Sequence, residues 1–402
     1  MCCMMIGSVL GSGIIILPPL ALESSGEWAI VGWLLTSLFG VAFAYLFAKV
    51  GTIFPGEGGV ASSVAHAFGP SAKRLAAYTL AGAVLFGPAA VLLTVVEYLP
   101  PSLLPDTSMG RAAIAAGLNV VCAGLIISGL KNMSRFAMLL ATAATGLLLA
   151  GSWLVLLFHT GPSVPLPPFD GESFGYTMLL LFWAVVGWEV VANFGGEVIN
   201  PRRTVPRAAV MAAIVIGVVS LSVTAALQFG NLPGQTGSGV AILLQPLFGS
   251  MAPWLMGVLT TGLCTITYLV FVGATARLLA HLSKESGLPD ILNRRNKKNV
   301  PWVVVALYTA VHLIQYFLFG LEIVDLAGLV AISDGFFLTN ALLGTLAAFR
   351  LFTKPFPKAV AIILSFAILA VLTQSHWQVL VALGVMSTFC FYRSRKRLAK
   401  AV

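Results

Sequence analysis

Two stretches of the chain hold residues whose types and spacing could bind a small molecule. The first is Ile6-Gly-Ser-Val-Leu-Gly-Ser-Gly-Ile-Ile-Ile-Leu-Pro-Pro19, where Gly7, Gly11 and Gly13, with Ser8 and Ser12 between them, sit in a run apolar enough to cross a bilayer. The second is the run Met178 to Gly196, in which Gly187, Glu189, Asn193 and the pair Gly195-Gly196 lie among apolar residues. Glycines and small hydroxyl residues let a helix unwind, and unwound backbone in lipid is tolerated only where it lines a cavity. A first helix that stops at Gly11-Ser12-Gly13 and restarts at Ile14 turns new backbone N–H groups, and the positive end of its dipole, toward that cavity. A carboxylate is the natural guest. The dipole contributes ~0.5–2 kcal/mol and two or three hydrogen bonds ~1 kcal/mol each, against the ~4 kcal/mol that a millimolar ligand needs. An unwound turn at Val185–Gly187 exposes carbonyl oxygens, which suit an ammonium group. Together the two breaks form a trap for a small zwitterion that needs no charged side chain.

Other readings of these residues stay open. Gly7-x-x-x-Gly11 is also a small-residue packing face between helices, whereas a phosphate loop is excluded because no Lys-Ser/Thr follows. Glu189 is the one carboxylate deep in the second run, where a charge at helix centre costs ~2.5–3.5 kcal/mol. It reads either as a proton-coupling or gating carboxylate or as a hydrogen-bonded structural acid. Trp183 and Trp188 flank the expected turn, and either could close over a ligand or simply pack. Asp334, beside Gly335, is a second intramembrane acid, suited to a proton path or to capping a local kink. Glu197 and Asn200-Pro201, with Arg202, Arg203 and Arg207, read as an inner gate or a topology anchor.

The elements that must position these residues are membrane helices. The 402 residues are 58% apolar and only 9% charged, and the mean hydropathy is strongly positive, which excludes a soluble fold. Twelve apolar runs, each near the ~20 residues that span a bilayer, fall at about 2–22, 27–48, 74–98, 110–130, 135–158, 174–198, 206–228, 252–280, 301–319, 323–350, 357–374 and 376–392. With the N-terminus inside, the basic loop residues from Lys49 to Lys358 and the tail from Arg393 to Lys400 all fall on the inner side, and only Arg111 falls outside. The net charge of +9 therefore reads as a topology signal and not as a nucleic-acid surface, because no aromatics interleave with the basic residues. Five scattered cysteines offer neither metal-ligand spacing nor a disulfide framework. No nucleophile–base pair falls in one cavity-facing set, which argues against an enzyme. The chain opens directly in its first run with no basic residue before it, so that run reads as a membrane span and not a secretory leader. With Met1 so close to the membrane, a truncated start is an open alternative.

Spans one to five (residues 1–160) and six to ten (161–351) would form two inverted halves, since five spans per half reverse the second half. Residues 352–402 add two spans and a basic cytoplasmic tail. Interrupted spans at matching positions of two halves point to a transporter's midplane substrate site. Two loops have character of their own. Phe54-Pro-Gly-Glu-Gly-Gly59 leads into a short helical run, Val60–Phe68, and Gly239–Phe248 reads as a lid over the outer vestibule or as an ordinary surface helix.

Gly-Ser-Val-Leu-Gly-Ser-Gly-Ile-Ile early in the chain pairs with Phe182-Trp-Ala-Val-Val-Gly-Trp-Glu and Glu197-Val-Ile-Asn-Pro-Arg-Arg-Thr-Val-Pro-Arg-Ala208. With Phe54-Pro-Gly-Glu-Gly-Gly, Ala67-Phe-Gly69, Ala276-Arg, Gly287-Leu-Pro289 and Asn299-Val-Pro301, this set resembles the amino acid–polyamine–organocation (APC) transporters over about residues 6–302, nearest to bacterial neutral amino acid permeases and methionine or branched-chain exporters. The resemblance implies an all-α LeuT-type five-plus-five fold with twelve helices, the first and sixth of them broken. By it, Gly11, Ser12, Gly13 and Ile14 hold the substrate carboxylate, and carbonyls around Trp183, Ala184 and Gly187 hold the amino group. Phe86 and Phe336 would line the side-chain pocket, with Glu189, Trp188 and Asp334 coupling or gating. The family's fifth-span lysine is missing from Phe136–Leu157, whose polar residues include Thr142 and Thr145. A sodium ion beside Thr260, Thr261, Thr265 and Thr267 is thus an alternative to a proton as the coupling ion, and no other metal or cofactor is expected. The expectation is a secondary transporter of neutral, apolar amino acids, by symport or antiport. It would sit in the cytoplasmic (inner) membrane with both termini inside, as a monomer or homodimer. The alternatives are an obligate amino acid/amine exchanger and a non-transporting sensor.

Overall fold

The computed structural model describes residues 12–53, 59–129, 133–161, 166–188, 200–231, 239–286 and 289–401. Its helices in chain order are α1 (Gly13–Ser25), α2 (Ala29–Ile53), α3 (Gly59–Phe68), α4 (Pro70–Glu97), α5 (Ser108–Ser128), α6 (Met133–Phe158) and α7 (Gly171–Leu181). After these come α8 (Pro201–Phe229), α9 (Ala252–Ser286), α10 (Trp302–Gly320), α11 (Leu326–Leu351), α12 (Pro355–Leu372) and α13 (Trp377–Ala401). Short 3-10 segments, among them Phe182–Val185 and Gly239–Leu244, connect some of them.

Among the described residues, nine helical stretches are long and apolar enough to cross a membrane, Gly13–Ile53 being a single 41-residue stretch that bends at Gly26. Large apolar side chains such as Val120, Val121, Leu139 and Phe366 are more than half exposed, at 55, 58, 65 and 70%. Patches of this kind on a water-soluble surface would drive association; in a bilayer they meet acyl chains. The protein is a multi-pass membrane protein.

The interior is organised around α4, whose apolar window is 83% buried against 28% for α12 at the edge. Helices with all-round apolar character belong at a centre of this kind. Helix α4 packs on α11 and α9, α2 packs on α8, α5 on α10, and α1 on α7. Polar side chains tie the central pair: the Ser333 hydroxyl donates to the Ala83 carbonyl at 2.9 Å and Asn340 Nδ2 to the Ala76 carbonyl at 2.6 Å. Helix starts carry side-chain caps where the chain enters from a loop. Thr107 accepts from the Gly110 amide at 3.1 Å, and Asp325 from the Gly328 amide at 2.8 Å.

Asp170 caps α7 by accepting from the Glu172 and Ser173 amides, both at 3.2 Å, and from the Ser173 hydroxyl. These bonds, the hydroxyl first, hold its carboxyl below the usual carboxylate range. The sign follows from the lowered folded value: the cap's contribution is present above the ordinary carboxylate pKa and is lost as pH falls through the folded one.

Candidate functional site

The site is built where two helix ends meet. Helix α1 begins at Gly13, and its first backbone bonds run from the Ile15 and Ile16 amides to the Ser12 carbonyl, at 3.1 and 3.0 Å. Ser12 is 1% exposed and its hydroxyl has no hydrogen-bond partner among the described residues. The other end comes from the expected sixth span. Helix α7 stops at Leu181, tightens into 3-10 geometry over Phe182–Val185, becomes extended at Val186 (φ −69°, ψ 140°) and turns at Gly187 with φ 109°. Only glycine adopts that last conformation without strain.

The two ends touch. A Cβ on Gly13 would lie 3.3 Å from Trp183 Cδ1 and 3.9 Å from the Ala184 Cα. The Trp183 indole passes between α4 and α11: a Cβ on Gly87 would lie 2.6 Å from its Cη2, and the Phe337 ring meets it edge-on with centroids 5.9 Å apart. Asp334 is fully buried on the same helix as Phe337, and neither carboxyl oxygen makes a hydrogen bond among the described residues. The Trp183 backbone N–H faces this carboxyl without meeting hydrogen-bond geometry. Two small cavities border the junction among the described residues. The cavity beside Ala184 and Trp188, and that beside Phe182, Val185, Val186 and Phe337, are each about 10 Å³. That admits a water and no amino acid.

A third contact secures α1. Pro19 has no N–H, so the Ile15 carbonyl four residues earlier loses its helical donor. The Tyr98 hydroxyl at the end of α4 supplies one at 2.9 Å, and accepts in turn from the Val240 amide at 3.2 Å. Gly239 is required beside it, because a Cβ there would lie 2.3 Å from the Tyr98 oxygen. The Gly239–Leu244 segment is thus latched over α1, with Val240, Ile242, Leu243 and Leu244 buried. Tyr98→Phe leaves the Ile15 carbonyl without its donor, a loss of roughly 1–3 kcal/mol. In a Val240→Cys background, that change is expected to speed thiol modification at position 240 about tenfold; an unaltered rate would show the latch to be inert.

The structure distributes the sequence-derived candidates as follows. Ser12, Gly13, Ile14, Trp183 and Ala184 come together, and Gly187 forms the turn just beyond. Gly11 and Glu189 lie outside the described residues. Trp188 flanks the turn on the side opposite Trp183, buried against Trp33 of α2 and Ile216 of α8. Phe86 and Phe336 do not join this junction. They stack on each other, 6.2 Å apart and 7° from parallel, and line a separate cavity of about 570 Å³ with Glu322, Asp325, His376 and Gln378. One residue of helix rotates a side chain by about 100°, so Phe337 faces Trp183 and Phe336 faces Gly82. Of the α9 threonines, the Thr261 and Thr267 hydroxyls donate to carbonyls four residues back in their own helix, at 2.7 and 2.9 Å, and the Thr260 hydroxyl is buried with no partner among the described residues. Tyr98, Gly87 and Phe337 are site neighbours that sequence reading missed. The Pro18-Pro19 pair was the available signal for Tyr98, because it frees two carbonyls that need donors.

The site is a buried junction of two helix ends inside a multi-pass membrane protein, and the family to which the chain belongs is one of membrane transport proteins. The Amino acid permease family model matches residues 1–393, and the chain belongs to that family, within the APC superfamily. It is 24% identical over 399 residues to the L-methionine/branched-chain amino acid exporter YjeH of Escherichia coli, covering 94% of this chain and 91% of that protein. It is 26% identical to the cadaverine/lysine antiporter of Escherichia coli over 310 residues, 73% of this chain and 68% of the relative. A similar match, 26% over 313 residues, joins it to the putrescine transporter PotE of Escherichia coli, with 73% of this chain and 69% of that protein covered.

Proposed function

We propose that this protein is a secondary active transporter of neutral, apolar amino acids, working by alternating access around the α1–α7 junction. The observation that carries the reading is the contact of Gly13, at the positive end of α1, with Trp183 and Ala184 in the 3-10 turn. The substrate carboxylate would take the first-turn amides of Gly13 and Ile14 and the buried Ser12 hydroxyl; the ammonium would take carbonyls of Trp183, Ala184 and Gly187. Small residues on both sides leave the backbone, and not charged side chains, to do the binding. A neutral substrate fits a junction built from backbone groups and apolar side chains, with Asp334 the one fully buried carboxylate among the described residues. The exporter's match over 94% of this chain supports the same choice. The pairing of α1 with α7, α2 with α8, α4 with α9 and α5 with α10 is what two inverted halves, 1–160 and 161–351, would give, with 352–402 appended to complete twelve spans. The transporter would sit in the inner membrane with both termini cytoplasmic. Asp334, with Glu189 nearby in sequence to the turn, is the proton-coupling group, its carboxyl exchanging a proton as the Trp183 amide approaches or withdraws.

Counterflow in proteoliposomes tests this. Vesicles loaded with unlabelled methionine or leucine should accumulate the labelled amino acid, and a pH step should change the extent. Asp334→Asn is expected to flatten that pH response while counterflow persists. Flux of cadaverine but of no neutral amino acid would overturn the substrate choice, and an unaltered pH response in the Asn variant would remove Asp334 from coupling.

A further inference from the structure

Helix α4 carries Pro88 in its middle, buried and one residue after Gly87. Proline has no N–H and crowds the carbonyl four residues back, so Val84 loses its helical donor and the helix opens at that point. In a membrane interior no water replaces the missing donor. Its replacement comes from α10: His312 Nε2 lies 3.1 Å from the Val84 carbonyl, and Gln315 Nε2 donates to the neighbouring Leu85 carbonyl at 2.8 Å. A carbonyl only accepts, so the His312 hydrogen sits on Nε2 and Nδ1 is left to face the Tyr268 hydroxyl of α9 at 3.1 Å. Tyr268 in turn meets Asn119 Oδ1 of α5, and Asn119 Nδ2 donates to the Thr309 carbonyl of α10 at 3.1 Å. The Tyr308 ring stacks on the imidazole, 6.1 Å between centroids and 24° from parallel. Since the one Tyr268 hydroxyl hydrogen goes to Asn119 Oδ1, the imidazole is anchored at Nε2, with Tyr268 packed beside Nδ1 and Tyr308 on its face, and it is fully buried.

What this clamp holds is the turn of α4 that Pro88 leaves short of a hydrogen bond, and that turn is where the Trp183 ring rests. The indole tip fills the space that a Cβ on Gly87 would need, 2.6 Å away, with the Ser333 hydroxyl 2.7 Å from the same point. The neighbouring Ser333 hydroxyl bonds the Ala83 carbonyl on the same turn of α4. We infer that His312, with Gln315, is a positioning residue for the transport site: by donating to the carbonyls of the Pro88 turn, it sets the seat on which Trp183 lies. The inference rests on the reading of the Trp183 junction as the substrate site. It gives α10, a helix that contributes nothing to the junction itself, a defined part in substrate affinity.

The experiment compares His312→Phe with His312→Gln in the full-length protein, measuring leucine affinity by equilibrium binding and flux by counterflow. Glutamine presents an N–H at the reach of imidazole Nε2, whereas phenylalanine fills the volume and donates nothing. Affinity is expected to fall about tenfold in the Phe variant, the scale of one buried carbonyl left without a donor, and to return to within about threefold of wild type in the Gln variant. The background Pro88→Ala restores a helical N–H to Val84, so there the additional loss from His312→Phe should vanish, a coupling that general destabilisation does not produce. Should His312→Phe fail to fold, Gln315→Leu, which removes the Leu85 donor alone, is expected to lower affinity in the same direction. Equal affinities in the Phe and Gln variants, or a full penalty persisting in the Pro88→Ala background, would overturn the inference. The underlying reading is tested apart: if Trp183→Leu keeps wild-type affinity, the junction is not the site. If Trp183→Leu loses affinity while His312→Phe does not, only the role of His312 fails.

Discussion

Gly13→Val is expected to abolish amino acid binding while leaving the yield of folded protein unchanged. The first carbon added at this position would come 3.3 Å from Trp183 Cδ1 and 3.9 Å from the Ala184 Cα, and valine's two methyl groups extend further toward the same turn. Overpacking of this degree costs about 1–3 kcal/mol where neighbours can shift. Here the neighbours are a buried indole and a stretch of backbone, so the turn must withdraw from α1. The two ends of the zwitterion site would then be held too far apart, and the branched side chain would shield the first-turn amides. Gly13→Ala adds a single methyl and is expected to weaken binding by roughly tenfold, the lower end of that range. Thermal shift of the purified protein with methionine or leucine reads the effect. Wild-type affinity in the valine variant would mean that the α1 end does not hold substrate.

Gly87→Val is expected to remove transport by a different route, through the far side of the same indole. Its Cβ would lie 2.6 Å from Trp183 Cη2 and 2.7 Å from the Ser333 hydroxyl, both closer than non-bonded atoms come. The ring cannot slip sideways, because Phe337 meets it at 5.9 Å, with Phe271 in turn 5.8 Å from Phe337. Trp183 would have to leave its seat, carrying the 3-10 turn toward Gly13. A loss of about ten- to a hundredfold in counterflow follows from 1–3 kcal/mol of misfit. Trp183→Phe in the Gly87→Val background shortens the ring and is expected to recover part of that loss, a compensation that separates a steric cause from general damage. Activity of Gly87→Val near wild type would show that the indole is not confined there.

Much of the architecture was legible because the bilayer leaves few choices. Apolar runs of spanning length must become helices, since every backbone group has to find its partner inside the segment. The helices observed lie on those runs, apart from α3, which forms on the short run that follows Gly59. The interruption at Val185–Gly187 was legible for a local reason: Gly187 takes φ 109°, a conformation the residue type announces. Pro18-Pro19 and Pro88 were equally visible as places where carbonyls lose their donors.

What fills those vacancies was not legible. Tyr98 reaches the Ile15 carbonyl from 83 residues away and His312 reaches Val84 from 228, and no periodicity links such positions. The choice between Phe336 and Phe337 has the same origin, since both are apolar residues of one all-round apolar helix, and only its rotation against α4 decides which ring meets Trp183. By itself the sequence determined that this chain spans a membrane many times, that the helix at Val185–Gly187 is interrupted, and which carbonyls its prolines leave without a donor. Only the tertiary structure decided which side chains answer them. Breaks arise from the local chemistry of glycine and proline, whereas partners depend on how whole helices rotate and pack.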